Sequence, residues 1–206
     1  MRLPRLYAIA DVGLLRARGT ALREFAEGLR AAGVSLVQLR DKEGSPQEVL
    51  AGAAVLREVF EDGCVLIMND RADLAVVAGF DGVHVGQGDL GVEDVRRVLR
   101  GAEGIVGVST HSVEQVLAAG EADYLAVGPV FATGTKLDAE AVVGLDGVRR
   151  ARGLTAKPLV AIGGITRENC RSVIDAGADS VAVISGLIAP GETVEKVARD
   201  FLAILG

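Results

Sequence analysis

Cysteine is scarce, and its two instances stand apart: Cys64 and Cys170 have no metal-type spacing between them. That excludes a disulfide scaffold or a cysteine-rich metal fold, and it predicts two reduced packing thiols, as suits a cytoplasmic chain. Long apolar runs are also missing. No stretch approaches the roughly 18 to 20 residues of a membrane span, and residues 1–10 lack the apolar core of a signal peptide, so no membrane partner is expected. There is no N-x-S/T sequon. Basic excess is absent: 22 Lys and Arg against 28 Asp and Glu leave a net charge of -6. Nucleic-acid binders normally carry clustered basic surface, so no nucleic-acid partner is expected, whereas small anions remain compatible with a local site. Linkers, low-complexity tracts and charge blocks are lacking too, which predicts one domain over 1–206.

What is present is a large apolar share, 50% of 206 residues, enough for one sizeable core. Eight short β-rich runs bounded by turn residues recur along the chain: Leu6–Asp11, Leu36–Asp41, Val65–Asp70, Gly82–Gly86, Ile105–Thr110, Tyr124–Val130, Pro158–Gly164 and Ser180–Gly186. Most are continuously apolar, as parallel strands covered on both faces are. Each is followed by helical spacing, seen in Leu22, Phe25, Ala26, Leu29 and again in Val194, Val197, Ala198, Phe201, Leu202. Ser45 precedes the second helix, Thr166 the seventh with Glu168 and Asn169 in its first turn, and Gly33, Gly79 and Gly177 close others. The fold class predicted is α/β, a (β/α)8 TIM barrel near the lower size limit of about 200 residues. An open doubly wound sheet is the alternative if one or two runs are not strands.

In such a barrel the site gathers at the strand C-termini. Polar residues collect there: Gln38-Leu39-Arg40-Asp41-Lys42, Asn69-Asp70, Asp89, Ser109 and His111, and Thr133-Gly134-Thr135-Lys136, with Gly163-Gly164 and Ser185-Gly186 closing units seven and eight. Asp70 and Asp89 come from neighbouring strand ends, and two carboxylates with hard oxygen donors suit Mg²⁺. Their other reading is a helix cap and a solvated turn. Gln38, Arg40 and Lys42 alternate, so an extended chain projects them together; Arg40 and Lys42 suit a diphosphate, with Lys136 as a third cation, and ion pairs with Asp41 and Glu43 are the alternative. The terminal glycine pairs suit close approach of backbone N–H groups to a phosphate, or ordinary tight turns. Gly86 to Gly91 matches G-x-G-x-x-G, yet it lies in unit four without the acidic residue a dinucleotide site needs, and is set aside. His84, flanked by valines, reads as a hydrogen-bonded core residue; for His111 structural and catalytic roles stay open.

The segments LYAIAD, VQLRDK, MNDRADLA, DGVHVGQGDL, GVSTHS, DYLAVGPVFATGTK, AIGGI and GADSVAVISG together resemble the thiamine phosphate synthase family, in its order and through nearly the whole chain. The resemblance implies a Mg²⁺-dependent transferase joining hydroxymethylpyrimidine diphosphate to thiazole phosphate with loss of pyrophosphate. It implies Gln38, Arg40, Lys42 and Asn69 on the pyrimidine diphosphate, Asp70 and Asp89 on Mg²⁺, and Ser109 and Lys136 completing that pocket. Thr133, Thr135, Gly164, Ile184 and Ser185 would hold the thiazole phosphate. Arg40, Ser109 and Lys136 are the catalytic candidates, and Leu39, Asp41 and Gly134 fall in the same binding stretches. Ala132 and Gly134 stand where prolines are common, and the stretch after Lys136 departs from the family pattern. A sister group, the thiazole tautomerases, uses a histidine at the position resembling His111; that activity and a non-catalytic phosphate-binding barrel are the alternatives. The partners expected are small molecules, with a homo-oligomer left open.

Overall fold

The computed structural model describes residues 2–99, 104–134 and 141–206. Eight parallel strands close on themselves in sequence order, because β1 (Leu6–Asp11) pairs both with β2 (Leu36–Arg40) and with β8 (Ser180–Val183). Between them lie β3 (Val65–Asn69), β4 (Gly82–Val85), β5 (Ile105–Thr110), β6 (Tyr124–Val127) and β7 (Leu159–Ile162). The barrel is therefore the (β/α)8 architecture, and the open sheet is excluded by the β1–β8 pairing. Six strands end one to three residues before the expected limits, since the polar and glycine residues at their C-termini turn out of the ladder. In β6 the cause is local: Pro129 has no N–H to donate to the neighbouring strand.

The strand–helix repeat holds with one addition, a short α1 (Val12–Ala17) ahead of α2 (Leu22–Ala32) in the first unit. Then follow α3 (Pro46–Phe60), α4 (Ala72–Ala78), α5 (Val92–Val98), α6 (Val113–Ala118), α7 (Gly144–Leu154), α8 (Cys170–Asp175) and α9 (Val194–Leu205), with a 3₁₀ turn at Ser185–Leu187. Ser45 and Glu48 form a reciprocal capping box at the start of α3, and Gly33 and Gly79 end α2 and α4 in the left-handed conformation. Thr166 does not start α8. It opens a turn in which Asn169 Oδ1 accepts from the Thr166 N–H at 2.8 Å, and the helix begins only at Cys170.

Alternation along each strand sorts residues into two cores. Outward side chains such as Ala8, Val37, Leu39, Met68, Val83 and Val181 pack under the helices with Phe25, Leu29, Leu56 and Phe201. Inward ones, among them Tyr7, Ile9, Leu36, Ile67, Tyr124, Val160 and Ala182, fill the barrel. Gly107 admits the Tyr124 ring, because a Cβ there would lie 2.0 Å from Tyr124 Cζ. At the N-terminal face one device recurs three times. Asp81, Asp123 and Asp179, just before β4, β6 and β8, each accept a backbone N–H from the strand before, that of Leu66, Val106 and Leu159, at 2.7 to 2.8 Å. The face opposite the site thus holds strand register, as stability roles there do in barrels.

Both cysteines are free; burial, reinforced by Asp81, pushes the Cys64 thiol up to about 12, and Cys170 is buried. Neither is a ready nucleophile. Among the described residues no helix is long and apolar enough to cross a membrane.

Candidate active site

The C-terminal face opens into a cleft of two joined lobes. The outer lobe, about 370 Å³, is bounded by His111, Thr133, Gly163, Gly164, Ile184 and Ser185. The inner lobe, about 70 Å³, runs down to Gln38, Arg40, Asn69, Asp70, His84 and Ser109. Lys42 and Asp89 border both. The outer volume falls within the usual size of small-molecule sites, roughly 300 to 1,000 Å³.

The register of the barrel explains who meets whom. Gln38 and Arg40 share the inward phase of β2, and β1 beside it ends in Asp11, paired in register with Arg40. Arg40 Nη1 donates to Asp11 Oδ2, and Asp11 Oδ1 also accepts from the Leu14 N–H at 2.9 Å, capping α1. Lys42 Nζ reaches across to Asp70 Oδ2 at 2.5 Å. The charges of Arg40 and Lys42 are thus engaged by Asp11 and Asp70, from other strand ends, and not by their sequence neighbours Asp41 and Glu43. Asp41 instead closes its own loop, accepting from the Gly44 N–H at 2.8 Å. The Leu39 side chain lies in the core under the helices and the Asp41 carboxylate in its own turn, so neither side chain turns to the cleft.

Asp70 adopts φ 61°, a left-handed conformation, and its N–H donates to the carbonyl of His84 at 2.8 Å. The turn brings its carboxylate within hydrogen-bond reach of Asp89. Asp89 is itself aimed by the Gly86 N–H, which donates to Oδ2 at 2.8 Å. Burial, then the proximity of Asp70, pushes the Asp89 carboxyl above its ordinary range, while the Gly86 N–H and Lys42 pull the other way. Two facing carboxylates with one lysine at their edge form a place where a cation would relieve repulsion. Among the described residues no group of three or more His, Cys, Asp or Glu is placed to hold a metal; the pair stands alone. Mg²⁺ is the ion for which a pair suffices, since it usually keeps waters and takes further oxygens from a substrate phosphate.

On the other wall, Gly163 and Gly164 have φ 105° and 62°, and a Cβ on either would run into Pro129 or into Phe131 and Ala132. The β6 and β7 loops can pack this closely only with glycine at both positions. Ile184 and Ser185 face them from the end of β8. His111, which borders the outer lobe, donates Nδ1–H to the carbonyl of Gly128 at 2.6 Å, and Nε2 is its second nitrogen. His84 is buried and hydrogen-bonded, to Tyr124 and Ser109. Thr135 and Lys136 lie outside the described residues.

A sequence model described as thiamine monophosphate synthase matches residues 6–187, from the first strand to the 3₁₀ turn after the last. The chain belongs to the thiamine monophosphate synthase family. Within the family it is 53% identical to the thiamine-phosphate synthase of Koribacter versatilis (strain Ellin345), over 100% of this chain and 97% of that one. It is 42% identical to the thiamine-phosphate synthase of Chloroflexus aurantiacus, over 98% and 92%. Among solved structures it resembles the thiamine phosphate pyrophosphorylase from Pyrococcus furiosus, with a TM-score of 0.83 at 31% identity over 98% and 95% of the chains.

Three residues that shape the cleft escape the sequence reading. Asp11 ends its strand as other site residues do, but no cationic partner is visible nearby in sequence. Tyr7 and Tyr124 sit inside apolar runs and count as core, and only the closed barrel turns their hydroxyls toward one another. Their spacing from a strand end was the available signal.

Proposed function

We propose that this chain is a thiamine-phosphate synthase, joining hydroxymethylpyrimidine diphosphate to thiazole phosphate and releasing pyrophosphate. The observation that carries the reading is the full-length likeness to the thiamine-phosphate synthase of Koribacter versatilis, 53% over 100% of the chain. The two-lobed cleft, with cations at one end and a glycine-walled lobe of small-molecule size at the other, supports it.

In this reading 1–206 works as one barrel domain, and the inner lobe takes the pyrimidine, with Gln38, Asn69 and Ser109 around the ring. Arg40 and Lys42 hold the diphosphate, exchanging their present carboxylate partners for it, and Lys136 joins them. Asp70 and Asp89 would hold Mg²⁺, whose contribution when bound is to offset charge on the departing diphosphate. The bond from the pyrimidine methylene carbon to the diphosphate oxygen breaks, and its electron pair leaves with pyrophosphate. The nitrogen of the thiazole then donates its lone pair to that carbon. Arg40, Lys42 and Lys136 favour this step by fixed positive charge where negative charge develops. Thr133, Thr135, Gly164, Ile184 and Ser185 hold the thiazole phosphate alongside, so that attack occurs within one complex. Gly134 stands between those two threonines in sequence, with open space where a Cβ would lie. The test is direct: with both precursors and Mg²⁺, pyrophosphate and thiamine phosphate should appear in equal amounts, and release of neither sinks the reading.

The tautomerase alternative has one observation in its favour. His111 is held by Gly128 through one nitrogen and borders the outer lobe, where an acid–base group would be wanted.

A further inference from the structure

At the floor of the cleft, five side chains from five strands form an unbroken line of hydrogen bonds. Gln38 Nε2 on β2 donates to Tyr7 Oη on β1 at 2.8 Å, and the Tyr7 and Tyr124 hydroxyls meet at 3.0 Å. Tyr124 Oη on β6 meets His84 Nδ1 on β4 at 2.9 Å, and His84 Nε2 meets Ser109 Oγ on β5 at 2.9 Å. All five residues are buried. The rings are seated by packing as well, Tyr7 edge-on to Tyr124 at 6.1 Å between centroids and His84 stacked on Tyr124 at 5.5 Å.

A phenol has one proton to give, and a neutral imidazole has one N–H and one lone pair. Burial pushes both phenols well above their ordinary value, so each keeps its proton. The protons along the line therefore cannot be arranged one by one. With Gln38 donating to Tyr7, the Tyr7 proton points to Tyr124, the Tyr124 proton to His84 Nδ1, and the imidazole proton, on Nε2, to Ser109 Oγ. Ser109 then has its own proton to offer elsewhere, and Gln38 has Oε1. Both residues border the inner lobe.

We propose that Tyr7, Tyr124 and His84 are positioning residues that lock Gln38 as an acceptor and Ser109 as a donor toward the inner lobe, so that the lobe reads the hydrogen-bonding edge of an amino-substituted pyrimidine. An amino group supplies the donor that Gln38 Oε1 requires, and a ring nitrogen supplies the acceptor for Ser109. A pyrimidine with an oxo group in place of the amino group presents an acceptor and a ring N–H, the reverse of that pattern. Gln38 Oε1 then meets an acceptor and the Ser109 proton a donor, and the oxo form is held only through the second Gln38 N–H and the spare Ser109 lone pair, leaving both of those groups unpaired, or by reversal of the line, Gln38 amide included. The assignment rests on the proposed function for its ring, but its readout does not need turnover.

The test compares binding of the amino and oxo forms of hydroxymethylpyrimidine by calorimetry, and kcat/KM for their diphosphates, in the parent, Tyr124→Phe and Tyr7→Phe. The parent should prefer the amino form by at least about 100-fold, as sites built around hydrogen-bonding groups do. Tyr124→Phe keeps the ring that fills the floor and removes the middle hydroxyl. It should reduce the preference at least about tenfold, with KM for thiazole phosphate within about twofold of the parent. Tyr7→Phe should do the same, and the double variant no more than either single one, because a line is broken once. A hydroxyl that only fills space would weaken both ligands alike and leave the ratio untouched. An unchanged ratio in a folded variant, or a parent that binds both forms equally, overturns the proposal. If Tyr124→Phe does not fold, Tyr7→Phe supplies the same ratio. A parent that discriminates in binding but releases no pyrophosphate overturns the proposed function and leaves this inference standing.

Discussion

Asp70 occupies a backbone region that costs a non-glycine residue roughly 1 to 2 kcal/mol, and it does so with its carboxylate turned toward another one. Both features work against stability and are explained by what the pair can hold. Asp70→Asn keeps a residue that tolerates the left-handed region and removes one of the two facing charges. It should leave Tm unchanged or raised while lowering kcat/KM at least about 10²-fold, and Asp89→Ala should do comparable damage. Full activity of either variant in the presence of a chelator ends the metal assignment. Asp11 poses a different question, since it both caps α1 and neutralises Arg40. Asp11→Asn retains a capping side chain but leaves Arg40 part-buried without its counter-charge, which destabilises strongly when a pair is broken from one side. A lower Tm is expected, with added pyrophosphate restoring more of it than in the parent, because the anion supplies what Asp11 did. Equal ligand-induced shifts in the two proteins would falsify Arg40 as a diphosphate ligand.

The elements that carry the Gly163-Gly164 wall are tied down from outside the cleft. Arg167, in the turn between β7 and α8, donates to Glu192 at 2.6 Å and to Asp200 of α9 at 2.7 Å, and Lys196 joins both carboxylates at 2.7 and 2.9 Å. One knot of two cations and two carboxylates thus holds the loop that follows Gly163-Gly164 against the last helix. The Arg167 guanidinium, then Lys196, holds the Glu192 carboxyl down at about 2, against an ordinary value of 4.5. A carboxyl depressed on folding contributes stability that is present above the unfolded value and lost as pH falls toward the folded one. Glu192→Gln should therefore be less stable than the parent at neutral pH, with the gap closing between about pH 4.5 and 2. Salt should narrow the same gap, since the group is near the surface. A gap of constant size across that range, read as Tm in acid titration, would remove the ion pairs from the account. The start of α8 differs from the expected one in this same turn: Ser, Thr and Asn motifs cap turns as well as helices, and only the Asn169 side-chain bond shows which residue starts α8.

For the whole barrel, what the sequence shows is the part set by period and punctuation. All eight strands were legible because continuous apolar runs between turn residues mean parallel strands, and closure followed from their number. What strands contribute across the barrel was not legible: Asp11 with Arg40, or the line from Gln38 to Ser109, joins residues far apart in sequence, and hydroxyls within apolar runs look like core. Thr135 and Lys136, outside the described residues, rest as candidates on motif resemblance alone. The same barrel and cleft suit either condensation or ring tautomerisation, and the two make opposite demands on the cleft. Condensation requires departure of pyrophosphate, so Asp89 is indispensable and His111, pinned by Gly128, shapes the outer lobe. His111→Ala should then cost less than Asp89→Ala in the rate of thiamine phosphate formation. Tautomerisation moves a proton between ring positions, which needs a group titrating near neutral pH and gives a carboxylate pair nothing to hold. The order of damage reverses in that case. Measuring pyrophosphate release and thiazole isomerisation for the parent and both variants separates them, and isomerisation by a parent that releases no pyrophosphate would move this chain to the tautomerase reaction.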